Sequence, residues 1–164
     1  FPYTTLFRSL VQEIPVRLYP IGRLDRYSEG LLLLTNDGDL ANALMHPAFE
    51  IPKTYLLHIR GEHPEDAVSQ LSSPILIDGR STSPARVKLL NLSGQEAVCS
   101  VTIHEGRNRQ IRRLCERAGV KVVKLKRVKE GPLALGDLQP GQWRYLTEKE
   151  LRSLRASVEA GAKL

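Results

Sequence analysis

A single carboxylate, Asp25, lies in "GRLDRYSEGLLLLTNDG" (residues 22–38) between Arg23 and Arg26, directly ahead of a run of four leucines. A turn would accept almost any polar residue there, and an aspartate bonded to neighbouring amides is the structural explanation for such a position. Chemistry would ask for more: a substrate-binding surface elsewhere in the chain, and a cation that favours the charged form of the carboxylate. Glu29 is the nearest second acid, and paired carboxylates hydrolyse glycosides, but four residues apart in a loop the two need not converge. The histidines His46, His58, His63 and His104 are not spaced like a hydrolase triad, and no GxSxG is present. His104, beside a basic segment, is the one placed to touch a substrate. Gly22 and Gly30 lack the lysine-serine ending of a phosphate-binding loop, which argues against ATP-dependent chemistry.

The net charge of +6 is unevenly spread. From His104 to Lys129 the chain carries ten Lys and Arg against two Glu, a local +8, leaving −2 for the remainder. A concentrated basic patch favours a polyanionic partner, most simply nucleic acid, although a solvated helix face has the same composition. Within "RNRQIRRLCERAG", Ile111, Leu114, Cys115 and Ala118 recur at i, i+3, i+4 and i+7, predicting a helix with an apolar back, closed by Gly119. Arg113 and Arg117 fall on the opposite, solvent side, and Arg112 falls at the border of the stripe. A partly buried arginine needs an anion. Asp25 and a phosphate both qualify; alternatively the stem packs while the head reaches water.

The elements that must position these groups follow from the pattern. Leu31–Leu34, bracketed by Gly30 and "NDG", predicts a short strand buried on both faces. "DLANALMHP" predicts a helix stopped by Pro47, "KTYLLHIRG" a strand, and "PEDAVSQL" a second short helix. "ARVKLLNLSGQEAVCSVTIHEG" predicts a hairpin turning at Ser93-Gly94, with Ala97, Cys99, Val101 and Ile103 on one face. In "VKVVKLKRV" alternation places Lys124 and Lys126 opposite Val123 and Leu125. "TEKELRSLRASVEAG" opens with a capping box, Thr147 with Glu150, and ends at Gly161. Hairpins dominate and strands do not alternate regularly with helices, so the class is α+β with a mainly antiparallel or mixed sheet.

At 164 residues and 41% apolar content, one core domain with room for two lobes is expected. No apolar stretch approaches the ~20 residues that span a bilayer, and the start lacks a signal peptide's pattern, so a cytoplasmic protein is expected. Cys99 and Cys115 have neither CxxC spacing nor histidine partners and read as reduced and structural, with no metal site. Met45 is the only methionine. Either the chain is a fragment, or Phe1–Ser9 is a processing, cloning or sequencing scar; residues 10–164 are taken as the functional domain.

Taken in order, "GRLDRYSEGLLLLTNDG", "IPKTYLLHIRG" and "HEGRNRQIRRLCERAGVKVVKLKRVKEGPLALGDLQPGQWRYLT" resemble the RsuA-type branch of the bacterial pseudouridine synthases, which isomerise uridine in ribosomal RNA. The resemblance covers residues 18–152. It implies a mixed, largely antiparallel sheet flanked by helices, with RNA across a central cleft, and neither cofactor nor metal. It implies that Asp25 is the essential aspartate, acting as nucleophile or general base. Tyr55 would be the tyrosine packed against the uracil, and Arg112 the basic residue paired with the aspartate. Arg23, Arg26, Lys53, His104, Arg107, Asn108, Arg109, Arg113, Lys126 and Arg127 are the expected RNA-binding set. The implied partner is ribosomal RNA, engaged by a monomer without a membrane.

The reaction accounts for the residue types. Breaking the N1–C1′ bond and rejoining C5 to C1′ leaves the uracil unattached, so an enclosed pocket with an aromatic wall must hold it. Extracting the uridine from its stack costs about a few kcal/mol, which phosphate contacts can offset. Many members carry a small N-terminal S4-like RNA-binding domain, for which there is no room before Gly22. "HPAFEIPKTY" and "SPARVKLL" resemble large-subunit modifiers more than small-subunit ones. A catalytically silent RNA-binding or ribosome-assembly module would keep the same fold and patch.

Overall fold

The computed structural model describes residues 8–49 and 51–162; of the segment 1–9 set aside above, residues 1–7 lie outside them. Two short strands, β1 (Tyr19–Ile21) and β3 (Leu33–Thr35), pair antiparallel, with Ile21 opposite Leu33. Between them in sequence, β2 (Glu29–Gly30) leaves that pair and joins the main sheet. Helix α1 (Gly38–Met45) follows, its first turn capped by the Asp37 carboxylate, which accepts from the Leu40 amide at 3.0 Å.

Strand β4 (Lys53–Arg60) is the centre of the main sheet and leads to helix α2 (Pro64–Gln70). A minimal hairpin, β5 (Leu76–Ile77) and β6 (Arg80–Ser81), precedes the long hairpin of β7 (Arg86–Ser93) and β8 (Glu96–Ile103). Helix α3 (Gln110–Arg117) then turns into β9 (Lys121–Glu130) and β10 (Leu133–Ala134), and helix α4 (Glu148–Ala162) closes the chain. The predicted capping box of α4 forms: the Glu150 amide donates to Thr147 Oγ1 at 3.1 Å and the Thr147 amide to Glu150 Oε1 at 2.9 Å. Arg144 grips the same carboxylate, and together they pull its pKa down to about 2.

The main sheet runs β10-β9-β4-β8-β7 with antiparallel neighbours, while β2 lies parallel to β9. This is the α+β class that the pattern predicts. Along β8, Ala97, Cys99, Val101 and Ile103 are buried and the intervening residues half-buried, as alternation requires. That apolar face, with Leu57 and Ile59 of β4, receives Ala67 and Leu71 from α2 and its end and Ile111, Leu114 and Cys115 from α3. A second core gathers Ile21, Leu33, Leu40, Leu44, Leu133, Leu135 and Leu154 from the small strand pair, α1, the region of β10, and α4. The two cores are the two lobes, and β9 with β10 runs from one into the other. Both cysteines are free and buried; burial pushes the Cys99 thiol up to about 11 and Cys115 up to about 12.

Two local expectations change. The leucine run is not one strand buried on both faces: Leu31 and Leu33 are buried, Leu32 and Leu34 half-buried, and only the second half pairs with β1. The break follows from Gly30, at φ +110°, which lies against β9 so closely that a Cβ would stand 2.2 Å from the Arg127 carbonyl oxygen. Val123 does not share the face of Leu125. The ladder between β4 and β9 slips between His58 and Ile59, leaving Val123 as the extra residue of a bulge and 47% exposed. Among the described residues no helix is long and apolar enough to cross a membrane.

Gly30→Ala combines backbone strain with a clash against main chain, so urea unfolding should show a loss of at least about 3 kcal/mol. The two thiols should resist a disulfide reagent at pH 8 in the native protein and react once denatured.

Candidate active site

Asp25 sits on the crossover from β1 to β2, the segment joining the small strand pair to the main sheet. It does open a turn, since its carbonyl accepts from the Ser28 amide at 2.9 Å. That bond uses the backbone oxygen and leaves the carboxylate free. Arg112 comes from the first turn of α3 and reaches across: its Nε lies 3.7 Å from Asp25 Oδ2 and its Nη2 donates to Ser28 Oγ at 3.3 Å. The Arg112 side chain is 14% exposed and that of Asp25 40%. A cation mostly withdrawn from water therefore faces a carboxylate open to an incoming group. Of the three possibilities left by periodicity, Asp25 is the anion beside Arg112. Glu29 turns away and pairs with Lys124 at 3.1 Å, so the two acids do not converge.

Tyr55 enters from β4, directly across the ladder from Arg127 of β9. It packs at the edge of the first core. Burial raises its phenol pKa above the usual value, against a smaller opposing pull from the Arg127 guanidinium; the Asp25 carboxylate adds slightly to the rise.

Arg127, expected on an RNA-binding surface, is instead 2% exposed. Its Nε donates to the Leu31 carbonyl at 2.8 Å and its Nη1 to that of Arg23 at 3.5 Å, so one guanidinium holds both flanks of the Asp25 segment. Its own carbonyl accepts from the Leu31 amide at 2.8 Å. Glu130 Oε2, also buried, lies 3.8 Å from Arg127 Nε. Arg127 Nη2 and Glu130 Oε2 have no hydrogen-bond partner among the described residues. Burial raises the pKa of Glu130 and lowers that of Lys53, its neighbour across the ladder.

The remaining expected RNA contacts divide. Arg23 and Arg26 are exposed around Asp25, with the Arg26 guanidinium 5.3 Å from the ring centre of exposed Tyr27. His104, Asn108 and Arg109 are exposed along the loop before α3, and half-buried Lys53 approaches the backbone of that loop at Gly106. Arg109 adopts φ +52°, a left-handed conformation held immediately before the helix. Arg107 is half-buried and tied to the carbonyls of Arg80 and Ile77. Lys126 lies on the face of the sheet opposite Tyr55, in register with Leu56. Arg113 is half-buried, not on a free solvent face. Arg117 is exposed but committed, donating to Pro74, Gln70 and Ser73 carbonyls at 2.7, 2.6 and 2.9 Å, where it closes the end of α2.

Sequence reasoning missed Ser28 and Glu130. Strict alternation would put Arg127 and Glu130 on opposite faces, but the ladder slips between Thr54 and Tyr55 and brings both to the Tyr55 side. The nearest signal was an acid three residues after an arginine, too common to single out. His63, Glu65 and Asp66 bring ligand atoms within 4.8 Å of one another but are all exposed, at a helix start that favours carboxylates.

The aspartate on the crossover, the arginine from the facing helix and the strand tyrosine stand on a mixed sheet, and the family model for "RNA pseudouridylate synthase" matches residues 3–117. The chain belongs to that family. It is 47% identical to the ribosomal large subunit pseudouridine synthase B of Bacillus subtilis, over 92% of this chain and 62% of that protein. It is 37% identical to the ribosomal large subunit pseudouridine synthase E of Xanthomonas campestris, over 87% of this chain and 84% of that one. A crystal structure of a pseudouridylate synthase superposes with a TM-score of 0.72 at 33% identity, covering 84% of this chain and 59% of the other. The chain spans about three-fifths of the length of the first curated relatives it matches.

Arg127→Met would leave Glu130 buried without its cation, and chemical unfolding should show a loss of about 3–5 kcal/mol. Arg117→Ala should lower stability by about 1–2 kcal/mol, read the same way, through the three lost carbonyl bonds.

Proposed function

We propose that this chain isomerises a specific uridine in large-subunit ribosomal RNA to pseudouridine. Asp25 is the reacting carboxylate, Arg112 its partner and Tyr55 the wall against which the uracil stacks. The observation that carries this reading is the Asp25–Arg112 pair, built from segments distant in sequence, with Tyr55 across the ladder from the arginine that holds the Asp25 segment. The large-subunit assignment rests on the names of the Bacillus and Xanthomonas relatives. The enzyme acts as a cytoplasmic monomer and draws on no cofactor or metal.

The geometry suits the reaction in three ways. Arg112 is anchored by Ser28 as well as paired with Asp25, so the cation beside the carboxylate is fixed in place. The carboxylate itself is partly exposed, open to an extruded uridine. Tyr55, mostly removed from water, offers a ring face for the detached base, and burial further favours its protonated hydroxyl. Exposed Arg23 and Arg26, beside Asp25 in the chain, and exposed Arg109 before α3 supply phosphate contacts that offset the unstacking of the target.

The test is pseudouridine formation on ribosomal RNA transcripts of both subunits, detected by chemical labelling and primer extension. Product is expected from the large-subunit transcript with the intact chain and none with Asp25→Asn; product that persists in that variant would overturn the assignment. RNA binding without product from either protein would favour the silent module. Arg112→Ala should lower turnover at least about 100-fold with a smaller change in RNA affinity, a split between kcat and KM that marks loss of a contact strongest in the transition state. The pH–rate profile should show no limb from Tyr55 through the neutral range, since a phenol whose pKa is raised by burial stays protonated there.

A further inference from the structure

The main sheet has a second face, turned away from Asp25, that no helix of the described residues covers. Its composition follows from the register. Thr54, Leu56, His58 and Arg60 of β4 stand beside Thr102, Ser100, Val98 and Glu96 of β8, and the Thr54 and Thr102 hydroxyls bond at 2.9 Å, which fixes this face as one surface. On the outer sides, Arg86 and Lys88 of β7 are in register with Thr102 and Ser100, while Lys126 and Lys129 of β9 are in register with Leu56 and Thr54. Each of these two rungs thus begins and ends on a cation, with hydroxyl or aliphatic residues between.

The acids nearby are already engaged. Glu96 is held by His58 and Arg60, which pull its pKa down, and Glu29 pairs with Lys124. Arg86, Lys88, Lys126 and Lys129 have no ion-pair partner among the described residues, and all but half-buried Lys126 are exposed. Four strands spaced about 4.8 Å apart place the two columns of cations about 14 Å from each other. An uncharged floor bearing hydroxyls between two cationic rims is complementary to a groove lined by 2′-hydroxyls and flanked by two phosphate backbones. The shallow minor groove of an A-form helix presents that arrangement.

We infer that this face is a second RNA-binding surface, which holds a double-helical segment of RNA through its phosphates and 2′-hydroxyls, separately from the site around Asp25. RNA is chosen over other polyanions because of the proposed function above, whereas the charge pattern stands without it. The surface reads shape, not sequence, and so would position a folded RNA without selecting the modified uridine.

The triple variant Arg86→Gln, Lys88→Gln, Lys129→Gln alters only exposed polar side chains and should keep the native unfolding curve; each single variant is measured beside it. Filter binding would use an RNA duplex of about 16 base pairs, the same sequence as DNA, and a short single-stranded RNA. For the RNA duplex the triple variant should bind at least about tenfold more weakly, with the slope of log K against log salt reduced by about 2 to 3. Single-strand binding and any pseudouridine formation on a minimal substrate should be unchanged. Unaltered duplex affinity and salt slope would overturn the inference, as would equal losses on duplex and single strand or on RNA and DNA duplexes. Because these readouts are binding, an inactive wild-type chain would defeat the proposed function while leaving this surface still under test.

Discussion

The arrangement of the site depends on one buried guanidinium. Arg127 projects from the central sheet into the junction of the two lobes and takes up the carbonyls of Arg23 and Leu31, the residues that flank the Asp25 turn. A charge so deep is stable only with an anion near it and hydrogen bonds around it. Glu130 provides the anion and the crossover backbone provides acceptors. Gly30 makes the geometry possible, because only a residue without a Cβ can run this close to β9. Asp25 is thereby held through its backbone, and its carboxylate needs no structural task of its own.

Arg112 then works from the opposite direction. It arrives on a helix whose apolar side is locked into the first core by Ile111, Leu114 and Cys115, so its position is set by packing and not by its charge. The two arginines differ accordingly. One is fully enclosed and orients the loop; the other is at the border of solvent and meets the side chain. Tyr55 lies across the ladder from the first of them, on the strand at the centre of the main sheet.

Much of this was legible in the sequence. Period-two alternation located β4 and β8, the i, i+3, i+4, i+7 stripe located α3, and the border position of Arg112 made Asp25 one of the candidate anions beside it. The catalytic assignments of Asp25 and Tyr55 came from resemblance, not from spacing. What remained hidden has a common cause. Arg127 was grouped with the surface cations because composition does not tell a buried charge from an exposed one. The slips in the β4–β9 ladder decide which face Glu130 and Val123 occupy, and they are properties of a pairing between strands about seventy residues apart. Arg117 and Arg107 look like free cations until the carbonyls they hold are brought beside them by the fold.

The Arg127–Leu31 contact spans 96 residues of sequence. The first lobe can form from its own neighbours, since β4, the long hairpin and α3 follow one another along the chain, but the crossover must wait for β9. Closing so long a loop is slow relative to pairing a hairpin. Chain synthesis delivers the Asp25 segment well before Arg127, the side chain that holds it, so the turn has no anchor until β9 has been made. The crossover is therefore docked late, as an earlier-made segment laid onto a finished sheet.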